Sequence, residues 1–144
     1  MSDDALALPD GLRPVALSSV LPENPTGLHL TGDLRRCMAP KALLCDASAL
    51  DQLMTRAVLR NGLTIVGRAF HTFEPNGVTG CLLLAESHVS IHTWPELQYV
   101  NLDVYVCNHE QDNSDRARAL FRYIAHQLRC VNAHPVEWQR GVVE

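Results

Sequence analysis

The stretch Val100-Asn101-Leu102-Asp103-Val104-Tyr105-Val106-Cys107 decides the fold. Apolar and polar residues alternate through it without a break, the period of a strand with one face buried. Val100, Leu102, Val104 and Val106 make the core face. Asn101, Asp103, Tyr105 and Cys107 make a second face that carries chemistry or meets a partner sheet. One covered face and one polar face is the pattern of antiparallel sheets.

Working outward, His88 to Trp94 and Val78 to Glu86 read as the preceding strands, and Leu63 to Phe73 as another. Pro75-Asn76-Gly77 is a turn between two of them. His29 to Leu34 reads as a first strand. Asp46 is placed to cap a helix running to about Asn61, with Leu50, Leu53, Met54, Ala57 and Val58 as its apolar stripe and Gly62 as its stop. Beyond Cys107, Asn113 or Ser114 caps a second helix striped by Ala117, Leu120, Phe121, Ile124 and Leu128. Val131 to Gln139 returns as a last strand, confined to a sheet edge by Pro135. The expected fold is α+β: a layered sandwich of an antiparallel β-sheet with two helices on one face.

Length and composition narrow the function. A chain of 144 residues makes one domain. Pro9, Pro14, Pro22 and Pro25 fall in residues 1–26, which read as a flexible leader; the folded domain is expected over 27–144. A net charge of −4 gives no basic excess for nucleic acid. No apolar run approaches the roughly 18 residues of a membrane span, and no secretion signature precedes the domain. Cys37, Cys45, Cys81, Cys107 and Cys130 form an odd, scattered set, which predicts reduced thiols and a cytoplasmic location. No CxxC pair is present, so no metal site is expected; His88, His92 and Cys107 have no ligand spacing.

The chemistry concentrates in Leu84-Ala85-Glu86-Ser87-His88-Val89-Ser90-Ile91-His92-Thr93-Trp94-Pro95-Glu96. A serine in a strand is ordinarily only a hydroxyl, and a histidine there only a satisfied polar group. Their company changes the reading. The run resembles the self-cleavage site of the small prokaryotic S-adenosylmethionine decarboxylases. The likeness extends over about residues 27–140 through Phe70-His71-Thr72-Phe73, Gly77-Val78-Thr79-Gly80 and Asp103-Val104-Tyr105-Val106-Cys107. It implies a proenzyme that breaks between Glu86 and Ser87, leaving residues 1–86 and 87–144, with Ser87 converted to a pyruvoyl group. It further implies that Thr79 and His92 assist processing and that Cys107 returns a proton to the substrate. Phe73 and Trp94 are implied as substrate contacts, Phe73 against the adenine, with Glu96 on the ribose hydroxyls. Sheets pairing across a homodimer of cleaved protomers, with residues of both in each site, complete what the likeness implies. The activity is then decarboxylation of S-adenosylmethionine to the aminopropyl donor of spermidine synthesis.

Pyruvoyl formation needs a serine hydroxyl that attacks the preceding carbonyl, an oxyanion donor and a base at the α-carbon. Glu86-Ser87 supplies the bond, and Thr79 and His92 the rest. Period-2 alternation places Ser87 and His92 on opposite faces, so the assignment requires an irregularity near Ser87. The chain departs from the family at Thr79, where serine is frequent, and at Gln98, Val100, Asn101 and Asn108, where small residues are usual. The segment Arg35 to Lys41 differs as well. These departures keep open a pyruvoyl-dependent arginine or ornithine decarboxylase; an uncleaved paralogue that binds or regulates a partner is a separate alternative.

Overall fold

The computed structural model describes residues 27–85, 87–108 and 111–141. The expected leader, residues 1–26, and Glu86 lie outside the described residues. Among the described residues seven strands form one antiparallel sheet: β1 (Gly27–Cys37), β2 (Ile65–Thr72), β3 (Val78–Leu84), β4 (Ser87–Trp94), β5 (Tyr99–Cys107), β6 (Cys130–Asn132) and β7 (Val136–Arg140). The spatial order is β2-β3-β4-β5-β1-β6, and β7 also pairs with β1. The α-helices among the described residues are the single turn α1 (Lys41–Leu44), α2 (Ala47–Arg60) and α3 (Ser114–Gln127).

Alternation in β5 holds residue by residue. Val100, Leu102, Val104 and Val106 are fully buried, and the residues between them are half-buried. Leu28, Leu30 and Leu34 of β1 and Val89 and Ile91 of β4 join the same core. The core closes against α2 and α3, whose stripes are the expected ones. Asp46 caps α2 as expected, its carboxylate accepting the Ala49 N–H at 3.0 Å. Gly32 lets α3 approach β1: a Cβ there would lie 2.3 Å from the Phe121 ring.

Three expectations are corrected. The last strand is two short ones, because Pro135 cannot donate to a ladder; β6 and β7 flank it on the outer edge of β1. The reduced-thiol reading fails for one pair. Cys37 and Cys130 form a disulfide across directly opposed positions of β1 and β6, a proximity that their separation of 93 residues conceals. Asn113 stands at the N-cap of α3, but its side chain makes no capping bond. Asp112 accepts the Ser114 N–H instead, at 2.9 Å.

Candidate functional site

The candidate residues fall at two ends of β4. At the start, Leu84 pairs with Ser87, so just residues 85 and 86 join β3 to β4. Ala85 is tied back by its N–H to the Thr64 carbonyl at 3.0 Å. The β3–β4 register runs without a slip from Leu84–Ser87 to Thr79–His92. The irregularity required near Ser87 is therefore absent from the described residues, and the strand does not bring Ser87 and His92 to one face. Ser87 keeps the parity of the core face and His92 that of the open face.

His88 pairs with Tyr105, which carries Cys107 to the Ser87 end of the sheet. Ser87 and Cys107 line one cavity of about 340 Å³, together with Leu84, Asn113 and Arg116. Arg116 donates to the Gly62 carbonyl at 3.3 Å across its rim.

Thr79 and His92 stand directly opposite each other on β3 and β4, with Thr79 Oγ1 and His92 Nδ1 3.0 Å apart. They line a second cavity of about 370 Å³ with Phe73, Asn76, Trp94 and Glu96. Phe73 follows β2 and is braced edge-on by His71 at 4.7 Å between rings. Its N–H donates to the Gly77 carbonyl at 2.8 Å, which closes the turn. Gly77, at φ 105°, admits no side chain: a Cβ would meet the Thr93 carbonyl at 2.9 Å. Trp94 stacks on Tyr99 at 5.1 Å, and Glu96 stands in the 3-10 turn Pro95–Leu97. This cavity offers aromatic faces, a carboxylate and an imidazole–hydroxyl pair.

The two groups are five positions apart on one strand, about 17 Å at ~3.4 Å per residue. One protomer thus unites Ser87 with Cys107, and Thr79 with His92, Phe73, Trp94 and Glu96, but not the first set with the second. Sequence reasoning missed Asn113 and Arg116 at the first cavity and Asn76 at the second. Asn113 reads as an ordinary helix cap, and no pattern marks Arg116 or Asn76.

Between these cavities the open face carries His29, His88, Asp103 and Tyr105. The His29 and His88 rings lie 6.1 Å apart. Burial lowers the His88 pKa, and the neighbouring His29 lowers it further. Cys81, on the same face, has its thiol pKa raised by burial.

An antiparallel sheet with helices on one face and a serine at a two-residue hairpin defines the class; known sequences identify the family. The family described as S-adenosylmethionine decarboxylase matches residues 28–141. The chain is 34% identical over 118 residues to the S-adenosylmethionine decarboxylase proenzyme of Moorella thermoacetica, covering 82% of this chain and 90% of that one. It is 35% identical over 121 residues to the proenzyme of Caldanaerobacter subterraneus subsp. tengcongensis, covering 84% and 93%. The crystal structure of the adenosylmethionine decarboxylase from Aquifex aeolicus VF5 superposes with a TM-score of 0.75 at 32% identity, over 84% of this chain and 95% of that one. The chain belongs to the S-adenosylmethionine decarboxylase family.

Proposed function

We propose that the chain is a self-cleaving, pyruvoyl-dependent decarboxylase of S-adenosylmethionine that supplies the aminopropyl donor for spermidine synthesis. The observation that carries this is the placement of Ser87 at the β3–β4 hairpin, sharing a cavity with Cys107, in a chain aligned with the family over residues 28–141.

Processing begins when the Ser87 hydroxyl attacks the carbonyl of Glu86 and the amide becomes an ester. Removal of the Ser87 α-proton expels the carboxylate of residue 86 by β-elimination and separates the chains. The dehydroalanine left on the second chain takes up water, loses ammonia and becomes the pyruvoyl group. Thr79 and His92 are our candidates for the donor and the base, their 3.0 Å contact orienting the imidazole.

The surroundings of Ser87 fit such a group: the cavity of about 340 Å³ has room for a substrate chain, and the Cys107 thiol stands at its wall. When present, the group supplies the carbonyl that takes the substrate amine and the electron sink for loss of carbon dioxide. Cys107 holds the proton that is returned to the substrate α-carbon. Phe73 and Trp94 stack on the adenine, and Glu96 accepts from the ribose hydroxyls.

The gap of about 17 Å between the two groups supports a homodimer of cleaved protomers. Packing open face on open face in opposite directions would set the Ser87 end of one protomer over the His92 end of its partner. Exposed Leu83, Val136 and Trp138 on that face suit burial. Among the described residues no helix is long and apolar enough to cross a membrane. Cys45, Cys81 and Cys107 are free thiols beside the Cys37–Cys130 disulfide; the family's substrate supports a small-molecule ligand and a cytoplasmic setting for this chain.

Intact mass under reducing conditions tests the cleavage: two fragments, the second blocked to N-terminal sequencing, are expected. Ser87→Ala stays whole and inactive. A native chain that stays whole after prolonged incubation would leave the uncleaved regulatory paralogue as the reading. Carbon dioxide release from labelled S-adenosylmethionine is expected; release from arginine or ornithine alone would reassign the substrate.

A further inference from the structure

We infer that Asn113 is a positioning residue for Cys107; the inference rests on the decarboxylase reading above. Asparagine at a helix N-cap ordinarily turns its side-chain oxygen onto the N–H groups of the first turn. Asn113 does not. Its Nδ2 points back across the loop and donates to the Cys107 carbonyl at 2.8 Å. Its own N–H donates to Asn108 Oδ1 at 2.8 Å, and Asn108 Nδ2 donates to Ser114 Oγ at 3.1 Å. These bonds clamp both sides of Cys107's exit from β5 onto the start of α3.

The arrangement carries a cost. Asn113 leaves the capping to Asp112, and its own Oδ1 is buried with no hydrogen-bond partner. That residue lines the cavity shared by Ser87 and Cys107. A local rule broken at a site marks a functional constraint. The constraint is legible in the ladder. Cys107 is the last residue of β5 and pairs with Gly27 of β1. The Asn113 amide adds a bond to its carbonyl, fixing the backbone that carries the thiol into the cavity it shares with Ser87. A proton donor must be held within hydrogen-bond reach of the carbon it serves.

The test is a pair of variants in the full chain. Asn113→Asp keeps the shape but sets a carboxylate oxygen against the Cys107 carbonyl, a repulsion that the helix N-terminus offsets in part. Asn113→Ser removes the amide donor and restores an ordinary cap. The serine variant is expected to melt no lower than the native protein, and both are expected to cleave at the native rate within about two-fold. Both should lose at least about ten-fold in kcat with KM little changed, within the roughly 10²–10⁴-fold a positioned acid contributes. Iodoacetamide labelling of Cys107, followed by peptide mass, should change rate by several-fold on the same backbone.

Native kcat with native Cys107 labelling in either folded variant overturns the inference. So does a lowered melting point with unchanged labelling, which marks Asn113 as a structural cap. Failure of the native chain to release carbon dioxide from S-adenosylmethionine would sink the decarboxylase reading instead, and the labelling rates would still decide whether Asn113 positions Cys107.

Discussion

Thr93 is the one buried polar side chain recorded among the described residues, and it holds the wall of the second cavity. Its hydroxyl donates to the Leu44 carbonyl at 2.7 Å and accepts the Val78 N–H at 2.9 Å. The β3–β4 ladder stops at Thr79–His92, and the Thr93 hydroxyl supplies the next rung. Thr93→Val keeps the volume and orphans both partners, each worth about 1–3 kcal/mol when left unmet. Calorimetry should show a melting point several degrees lower, recovered by Thr93→Ser; an unchanged valine variant would contradict this account. Beside it, His92→Ala should slow cleavage by about a hundred-fold, in the range a general base contributes. The variant should accumulate the ester, which hydroxylamine would release as fragments. Processing at the native rate would remove His92 from that role. Thr79→Ser should process normally and Thr79→Val slowly, because only the hydroxyl reaches the imidazole.

At the scale of elements, α3 is stapled to the edge strand β7 by Arg118, which donates to Glu137 at 2.7 and 3.1 Å. Arg118 holds the Glu137 carboxyl below its ordinary range. A lowered carboxylate contributes stability at neutral pH that is lost as pH falls through the folded value. The pair is half-exposed, so the contribution stays under about 1 kcal/mol. Glu137→Gln should therefore lower urea stability slightly near neutrality, and progressively less as pH falls through the carboxylate range. The two edge strands also show where sequence reading stops. β5 and the long helices were legible because each repeats its period for two turns or more, and burial of Val100 to Val106 and of Leu50 to Val58 follows. β6 and β7 have three and five residues, too few to display a period. Cys37–Cys130 and Thr79–His92 are contacts between strands, set by register rather than by any local pattern. The opposite faces of Ser87 and His92 were legible from spacing alone. That β4 would run on without a break near Ser87, keeping them apart in one protomer, was not.

For the whole molecule, the open face of the sheet is the surface on which the proposed homodimer would pack. His88 there faces His29 of β1, Asp103 and Tyr105 of β5, Arg140 of β7 and Leu83 of β3. Burial and the charge of His29 outweigh the opposing pull of Asp103, so its pKa lies below the ordinary value. For a base lowered in this way the unfolded state binds more protons. Folding stability is complete above the ordinary histidine value and drains away as pH falls below it. Urea stability should therefore decline below about pH 6, and His88→Gln should flatten that dependence; sedimentation should show the proposed dimer. Monomers at every pH would remove the dimer. A cut between β3 and β4 also divides the sheet in an unusual way. β1, β2 and β3 go to the first piece and β4 to β7 to the second, yet in space they alternate: β2-β3, then β4-β5, then β1, then β6 and β7. β1 is gripped along both edges by the other piece. The two products are dovetailed, and neither can leave without drawing β1 out from between its neighbours. Cys37–Cys130 rivets the same seam and turns into a link between the two polypeptides. Electrophoresis should resolve the cleaved protein into two bands with reductant and one without it, and residues 1–86 and 87–144 made separately should recover a fold only when refolded together.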